Sequence, residues 1–115
     1  MKVYTIEFGE FLLINGKSYR RCRNQTAMLD INSANAEVNY YLNNYFNSIS
    51  VSQDNNISGY YLEVYIDDWD LSSEQIEYIE EYNCFTEGGT NLVKEIVVCF
   101  ENSDVINYNC ENYSD

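Results

Sequence analysis

Neither histidine nor proline occurs among the 115 residues, and only six residues are Lys or Arg. Without histidine the chain lacks the commonest general base and the commonest protein metal ligand. A Ser or Cys nucleophile would need an unusual activating partner. The shortage of bases against 19 Asp and Glu leaves a formal charge of −13, which excludes a basic surface that grips phosphates. No apolar run approaches the roughly 18 residues that a membrane span requires. Gly88-Gly89 is neither preceded by a strand and followed by a helix nor trailed by a Lys, so no phosphate-cradling loop is present. The first residues alternate apolar and polar side chains where a signal peptide would run apolar, and the expected compartment is the cytoplasm.

What remains is enough for a folded domain. Hydrophobic residues make up 45% of the chain, too many for a disordered acidic tail. The length suits one domain. The four cysteines, Cys22, Cys84, Cys99 and Cys110, are too widely spaced for a zinc knuckle or a redox motif and read as reduced thiols. Three Asn-x-Ser/Thr triplets, at Asn24, Asn56 and Asn112, are no more than so many Asn, Ser and Thr produce by chance.

The charge is unevenly placed. Residues 1–53 carry four acids and five bases, whereas residues 54–115 carry fifteen acids and the single base Lys94. A segment so one-sided repels itself and costs stability, so a functional reason for it has weight.

Periodicity divides the chain into elements. Lys2 to Phe8 and the short run Phe11 to Ile14 read as strands, followed by Asn15-Gly16, a dipeptide suited to a type I′ hairpin turn. Lys17 to Arg23 returns with four of the six bases. Lys17, Tyr19, Arg21 and Arg23 share one face and Arg20 takes the other, a pattern that blocks an edge or pairs with the acidic half. A helix is expected over 33–49, capped by Asn32 or Ser33, with Ala34, Val38, Tyr41, Leu42, Tyr45, Phe46 and Ile49 as its apolar stripe. Tyr60 to Ile66 is a strand whose second face, Tyr61, Glu63, Tyr65 and Asp67, is aromatic and acidic and is expected to meet solvent or a partner. A loop of Asp67, Asp68, Trp69 and Asp70 leads to a helix over 73–84, opened by a Ser72/Gln75 capping box. Leu92 to Glu101 is the most apolar strand and should be central. The expected fold is a single α+β domain over residues 1–104. It holds an antiparallel or mixed sheet of about five strands in the order βββαβαβ, with two helices on one face. Residues 105–115 form an acidic tail with room for one short strand.

Chemistry is mostly rejected. A calcium loop beginning at Asp68 would want Gly at its sixth place and Glu at its twelfth, where Ser73 and Ile79 stand. A domain this small has little room for the cleft of a carboxylate-pair hydrolase. No catalytic residue, metal or cofactor is assigned.

Recognition by charge is the reading left. Acids three and four residues apart on a helix stand about 5–6 Å apart at Cβ, near the spacing of consecutive phosphates on a nucleic-acid strand. The candidate partner-binding surface is Glu63, Asp67, Asp68, Asp70, Glu74, Glu77 and Glu81, continued by Glu101 or Asp104. Tyr61, Tyr65, Trp69, Tyr78 and Tyr82 are its apolar anchors. In size, charge and its wealth of aromatic and Asn residues the chain resembles the small single-domain inhibitors of phages and mobile elements. These are the anti-CRISPR and anti-restriction proteins, several of which mimic DNA. The resemblance implies a non-enzymatic inhibitor that occludes the basic nucleic-acid channel of a host effector or nuclease. The alternative is an immunity protein or antitoxin that neutralises a basic nuclease toxin through the same surface.

Overall fold

The computed structural model describes residues 1–47 and 56–100, and the backbone of 104–109. It is an α+β fold built on an antiparallel sheet. Strands β1 (Lys2–Ile14) and β2 (Lys17–Met28) form a long hairpin, and β3 (Gly59–Asp68) and β4 (Leu92–Cys99) continue the sheet in the order β2-β1-β3-β4. Strand β5 (Asp104–Asn109) runs antiparallel along the outer edge of β4. Helix α1 (Ile31–Tyr41) passes directly into a π-helical turn, Leu42–Phe46, and helix α2 (Ser73–Tyr82) connects β3 to β4. The element order is therefore ββαβαββ, not βββαβαβ. Lys2–Phe8 and Phe11–Ile14 are one strand, because Gly9 and Glu10 keep pairing with β3 through Tyr61 and Tyr60. Strand β4 lies between β3 and β5, an interior strand like β1, and β3 is the middle one. Residues 110–115, most of the expected tail, lie outside the described residues.

Local chemistry explains the element ends. Asn15 (φ 53°) and Gly16 (φ 78°) both take positive φ, as a type I′ turn demands, and Ile14 pairs directly with Lys17. Helix α2 opens on the expected capping box: the Ser72 hydroxyl accepts from the Gln75 amide at 3.2 Å, and the Ser72 amide donates to the Gln75 side chain at 2.9 Å. It ends two residues earlier than the pattern suggests, at Tyr82, capped by Asn83 in the left-handed conformation, and the Asn83 carbonyl accepts from Ala27 of β2. Helix α1 starts earlier than expected because Asp30, and not Asn32 or Ser33, is its cap; the carboxylate accepts from both the amide and the hydroxyl of Ser33. The expected end of this helix at Ile49 lies outside the described residues.

The two helices lie on opposite faces of the sheet. Ile6 and Phe8 of β1, Met28 of β2, Tyr60 and Leu62 of β3 and Ile96 and Val98 of β4 bury one face against Ala34, Tyr41 and Phe46 of α1 and its π-turn. Phe8 stacks on Tyr41 with ring centroids 4.6 Å apart. The other face carries the odd-numbered residues of β1, and at one end Val3 and Ala27 pack on Ile79 of α2 and Phe85. Sequence periodicity put both helices on one face because it shows which side of a helix is apolar, not which side of the sheet receives it. Among the described residues no helix is long and apolar enough to cross a membrane.

Candidate functional site: two acidic surfaces

The acids of the sheet and those of α2 with the loop before it behave oppositely. The first lies on the α2 face of the sheet, where Glu7, Glu63 and Glu95 stand directly opposite one another on β1, β3 and β4. Like charges in such register oppose folding. One guanidinium answers two of them: Arg20 donates to Glu95 at 2.8 Å and to Glu63 at 3.3 Å, and lies 4.5 Å from the centre of the Tyr61 ring. The Tyr61 hydroxyl donates to Glu7 at 2.7 Å, and the Tyr65 hydroxyl donates to Glu63 at 3.1 Å. Burial raises the Glu63 carboxyl, with Glu7 and Glu95 adding to the rise and Tyr65 and Arg20 opposing it. Burial, followed by the Glu7 bond, pushes the Tyr61 hydroxyl well above the usual phenol range, and burial with the neighbouring Glu63 does the same to Tyr65.

A bulge makes this cluster. Phe8 pairs with Asn24, but Gly9 pairs with Cys22, so Arg23 is the extra residue of β2. Up to Asn24 the even residues of β2 face α1: Thr26 donates to Glu37 and Asn24 donates to Tyr41. Beyond the bulge the parity reverses, and Arg20 and Cys22 face the glutamates. Gly9 is required here because a Cβ would come within 2.4 Å of the Arg21 carbonyl oxygen and 2.5 Å of the Tyr61 ring. On the α1 side, buried Glu10 accepts from Arg21 at 2.7 Å and stands 3.9 Å from Arg23. The basic return strand thus pairs internally, with Arg20 serving the acidic half and Arg21 and Arg23 serving Glu10.

Asp67 belongs to this internal group. It is only 8% exposed, and its carboxylate accepts from the amides of Thr90 and Asn91 and from the Thr90 hydroxyl at 2.6 Å. It ties the loop before β4 to the end of β3. Beside it Gly89 leaves room for the Tyr65 ring, which a Cβ would meet at 2.4 Å. The expectation that this face lies open is therefore corrected at four residues. Tyr61 is 1% exposed, Asp67 is buried, and Glu63 and Tyr65 are half-buried in hydrogen bonds to their own chain. Alternation identified their common face, but not that Arg20 and the Thr90 loop cover it.

The second group is outward. Asp68, Asp70, Glu74, Glu77, Glu80 and Glu81 are exposed, and among the described residues none is in an ion pair. Glu74, Glu77 and Glu81 share a face of α2, which has ten residues and no base. Glu80 and Glu81 lie in the last turn, where the helix dipole disfavours negative charge by about 0.3–1 kcal/mol each. Trp69 is half-buried with its ring 5.2 Å from Phe85, edge to face, and its backbone is held by Met1: the Trp69 amide donates to the Met1 carbonyl, and the N-terminal ammonium donates to the Trp69 carbonyl. It is a structural residue at the base of the acidic loop. Its place as an exposed aromatic is taken by Tyr78 and Tyr82, 45% and 61% exposed, with rings 4.9 Å apart on α2. Glu101 and the side chain of Asp104 lie outside the described residues.

Nothing in the described residues brings together three or more Cys, Asp or Glu side chains in a metal-ligating arrangement. Cys22, Cys84 and Cys99 are free thiols, and Cys110 lies outside the described residues. The surface grooves are shallow, about 240 Å³ beside Glu10, Phe11 and Arg21 and about 260 Å³ along α2. Comparison with protein families, with curated proteins and with solved structures finds no match for this chain.

Proposed function

We propose that this protein is a non-enzymatic inhibitor that binds the basic nucleic-acid-binding surface of an effector or nuclease. It presents the α2 face and the preceding Asp loop where that surface would receive DNA. The observation that carries this reading is the contrast between the two acidic groups. Glu10, Glu63 and Glu95 are matched by arginines of the same chain, whereas Glu74, Glu77, Glu80 and Glu81 crowd a ten-residue helix with no base. Glu80 and Glu81 also sit against the helix dipole. Among the described residues these carboxylates make no ion pair, and an external cation accounts for such an arrangement. Carboxylates at three- and four-residue intervals meet Arg and Lys placed for a phosphate lattice, and complementary charge speeds association at low salt.

The test is capture from host lysate on immobilised protein, with elution by salt or by double-stranded DNA. Retained proteins should be basic and nucleic-acid-binding, and DNA should compete them off. The combined variant Glu74→Lys, Glu77→Lys, Glu81→Lys should retain none of them while keeping its circular dichroism spectrum. Capture that survives the triple reversal, or that DNA does not compete, would overturn the reading.

A further inference from the structure

The outward surface contains one feature that charge mimicry does not require. A groove of about 260 Å³ runs along α2, floored by Ile79 and Phe85, with Glu74, Gln75 and Tyr78 among its walls. The floor is apolar and sealed, Ile79 being 1% exposed and Phe85 7%. Tyr78 stands at the rim, 45% exposed, and its ring is 4.9 Å from that of Tyr82. Glu74 is one helical turn before Tyr78 on the same side of α2. An apolar floor, an aromatic wall and a carboxylate one turn away match a side chain with a long aliphatic stem and a planar cationic head.

We propose that this groove seats an arginine side chain of the partner, its stem over Ile79 and Phe85 and its guanidinium between the Tyr78 ring and the Glu74 carboxylate. This rests on the reading above that the partner is basic, and it names the side chain that anchors it. Guanidinium suits the place better than ammonium because it is planar, stacks on aromatic faces, pairs bidentately with carboxylates and is more weakly hydrated. The protein uses the same combination internally, where Arg20 lies over Tyr61 at 4.5 Å and bonds to Glu63 and Glu95. Glu77 and Glu81 attract any cation to α2. The groove distinguishes arginine from lysine.

Two amidated peptides of equal charge, tetra-arginine and tetra-lysine, separate these roles when titrated into the full chain at low salt. The arginine peptide should bind about two- to five-fold more tightly, the ratio expected of a cation–π contact at an exposed site. Tyr78→Ala and Glu74→Gln should each bring the arginine peptide down to the lysine value, and Tyr78→Phe should keep the preference because the ring remains. Glu77→Lys with Glu81→Lys should weaken both peptides together. Equal affinity of the two peptides in the unaltered protein, or a preference that survives Tyr78→Ala, overturns the arginine seat. If both peptides bind equally and both are lost in the Glu77/Glu81 variant, the seat fails while the acidic docking surface stands. If neither peptide binds, both fall.

Discussion

Replacing Glu63 by Gln should make the protein more stable at neutral pH. Glu63 lies in the middle of a row, directly opposite Glu7 on one side and Glu95 on the other. Each like-charged cross-strand pair opposes folding by about 0.2–1 kcal/mol. Against this, the Arg20 contact to Glu63 is the longer of its two, 3.3 Å against 2.8 Å, and that guanidinium is 36% exposed. A contact of that kind is worth about 0–1 kcal/mol. The amide of Gln keeps an acceptor for the Tyr65 hydroxyl and leaves Arg20 on Glu95. Taken at the middle of these ranges, two like-charged pairs outweigh the lost contact by about 0.5–1 kcal/mol at pH 7. For a domain of this size that is a rise of about 2–4 °C in Tm. The gain should depend on pH with a defined sign. A carboxyl whose folded pKa is raised binds its proton more readily in the folded than in the unfolded chain. Glu63 therefore opposes folding in full above its raised folded pKa. That cost fades as pH falls toward the ordinary carboxylate value. Urea unfolding followed by circular dichroism at pH 7.5 and at pH 5 measures both effects. A Glu63→Gln protein less stable than the parent at pH 7.5, or an advantage that does not shrink at pH 5, would refute the like-charge account.

Asp67→Ala should cost about 2–4 kcal/mol, because it strands two amides and a hydroxyl that now donate to a buried carboxylate, and urea midpoints measure it. Gly9→Ala should cost about 1–3 kcal/mol by driving a methyl group into the Tyr61 ring and the Arg21 carbonyl, again read from urea midpoints. Glu81→Lys should raise stability by a few tenths of a kcal/mol or about 1 kcal/mol by relieving the helix dipole, and should weaken capture of a basic partner; thermal melts and lysate capture on the same preparation separate the two effects. Cys22 should alkylate more slowly in the folded chain than in urea at pH 7.5, since burial and then Glu7 raise its thiol, and mass-resolved labelling reports the difference.

Much of the local structure was legible because it depends on neighbours in sequence. The Asn15-Gly16 turn, the Ser72/Gln75 cap, the alternation of β3 and the apolar stripe of α1 each follow from residues within a few positions of one another. So did the concentration of acid after residue 53 and the absence of a base on α2. Asp30, Asn32 and Ser33 are equally competent caps in sequence, and only the backbone chooses Asp30 among them. The outward half of the candidate surface is exposed, which follows from α2 having one apolar side. Tyr61, Glu63, Tyr65 and Asp67 are buried or half-buried instead, and that burial depends on segments far along the chain.

The sequence by itself determined that the protein is an acidic α+β domain whose charge lies in one half, and that one helix carries carboxylates without compensation. Tertiary structure alone decided which acids are spent internally. Arg20 lies 43 residues from Glu63 and 75 from Glu95 along the chain, and Thr90 lies 23 from Asp67. Their meeting depends on strand register and on the bulge at Arg23, which reverses the parity of β2 and turns Arg20 toward the glutamates. A period of two predicts which residues share a face only while the ladder is regular. One inserted residue, invisible in the alternation, brings Arg20 to the acids of the sheet and leaves none of the strand's arginines for the exposed acids of α2.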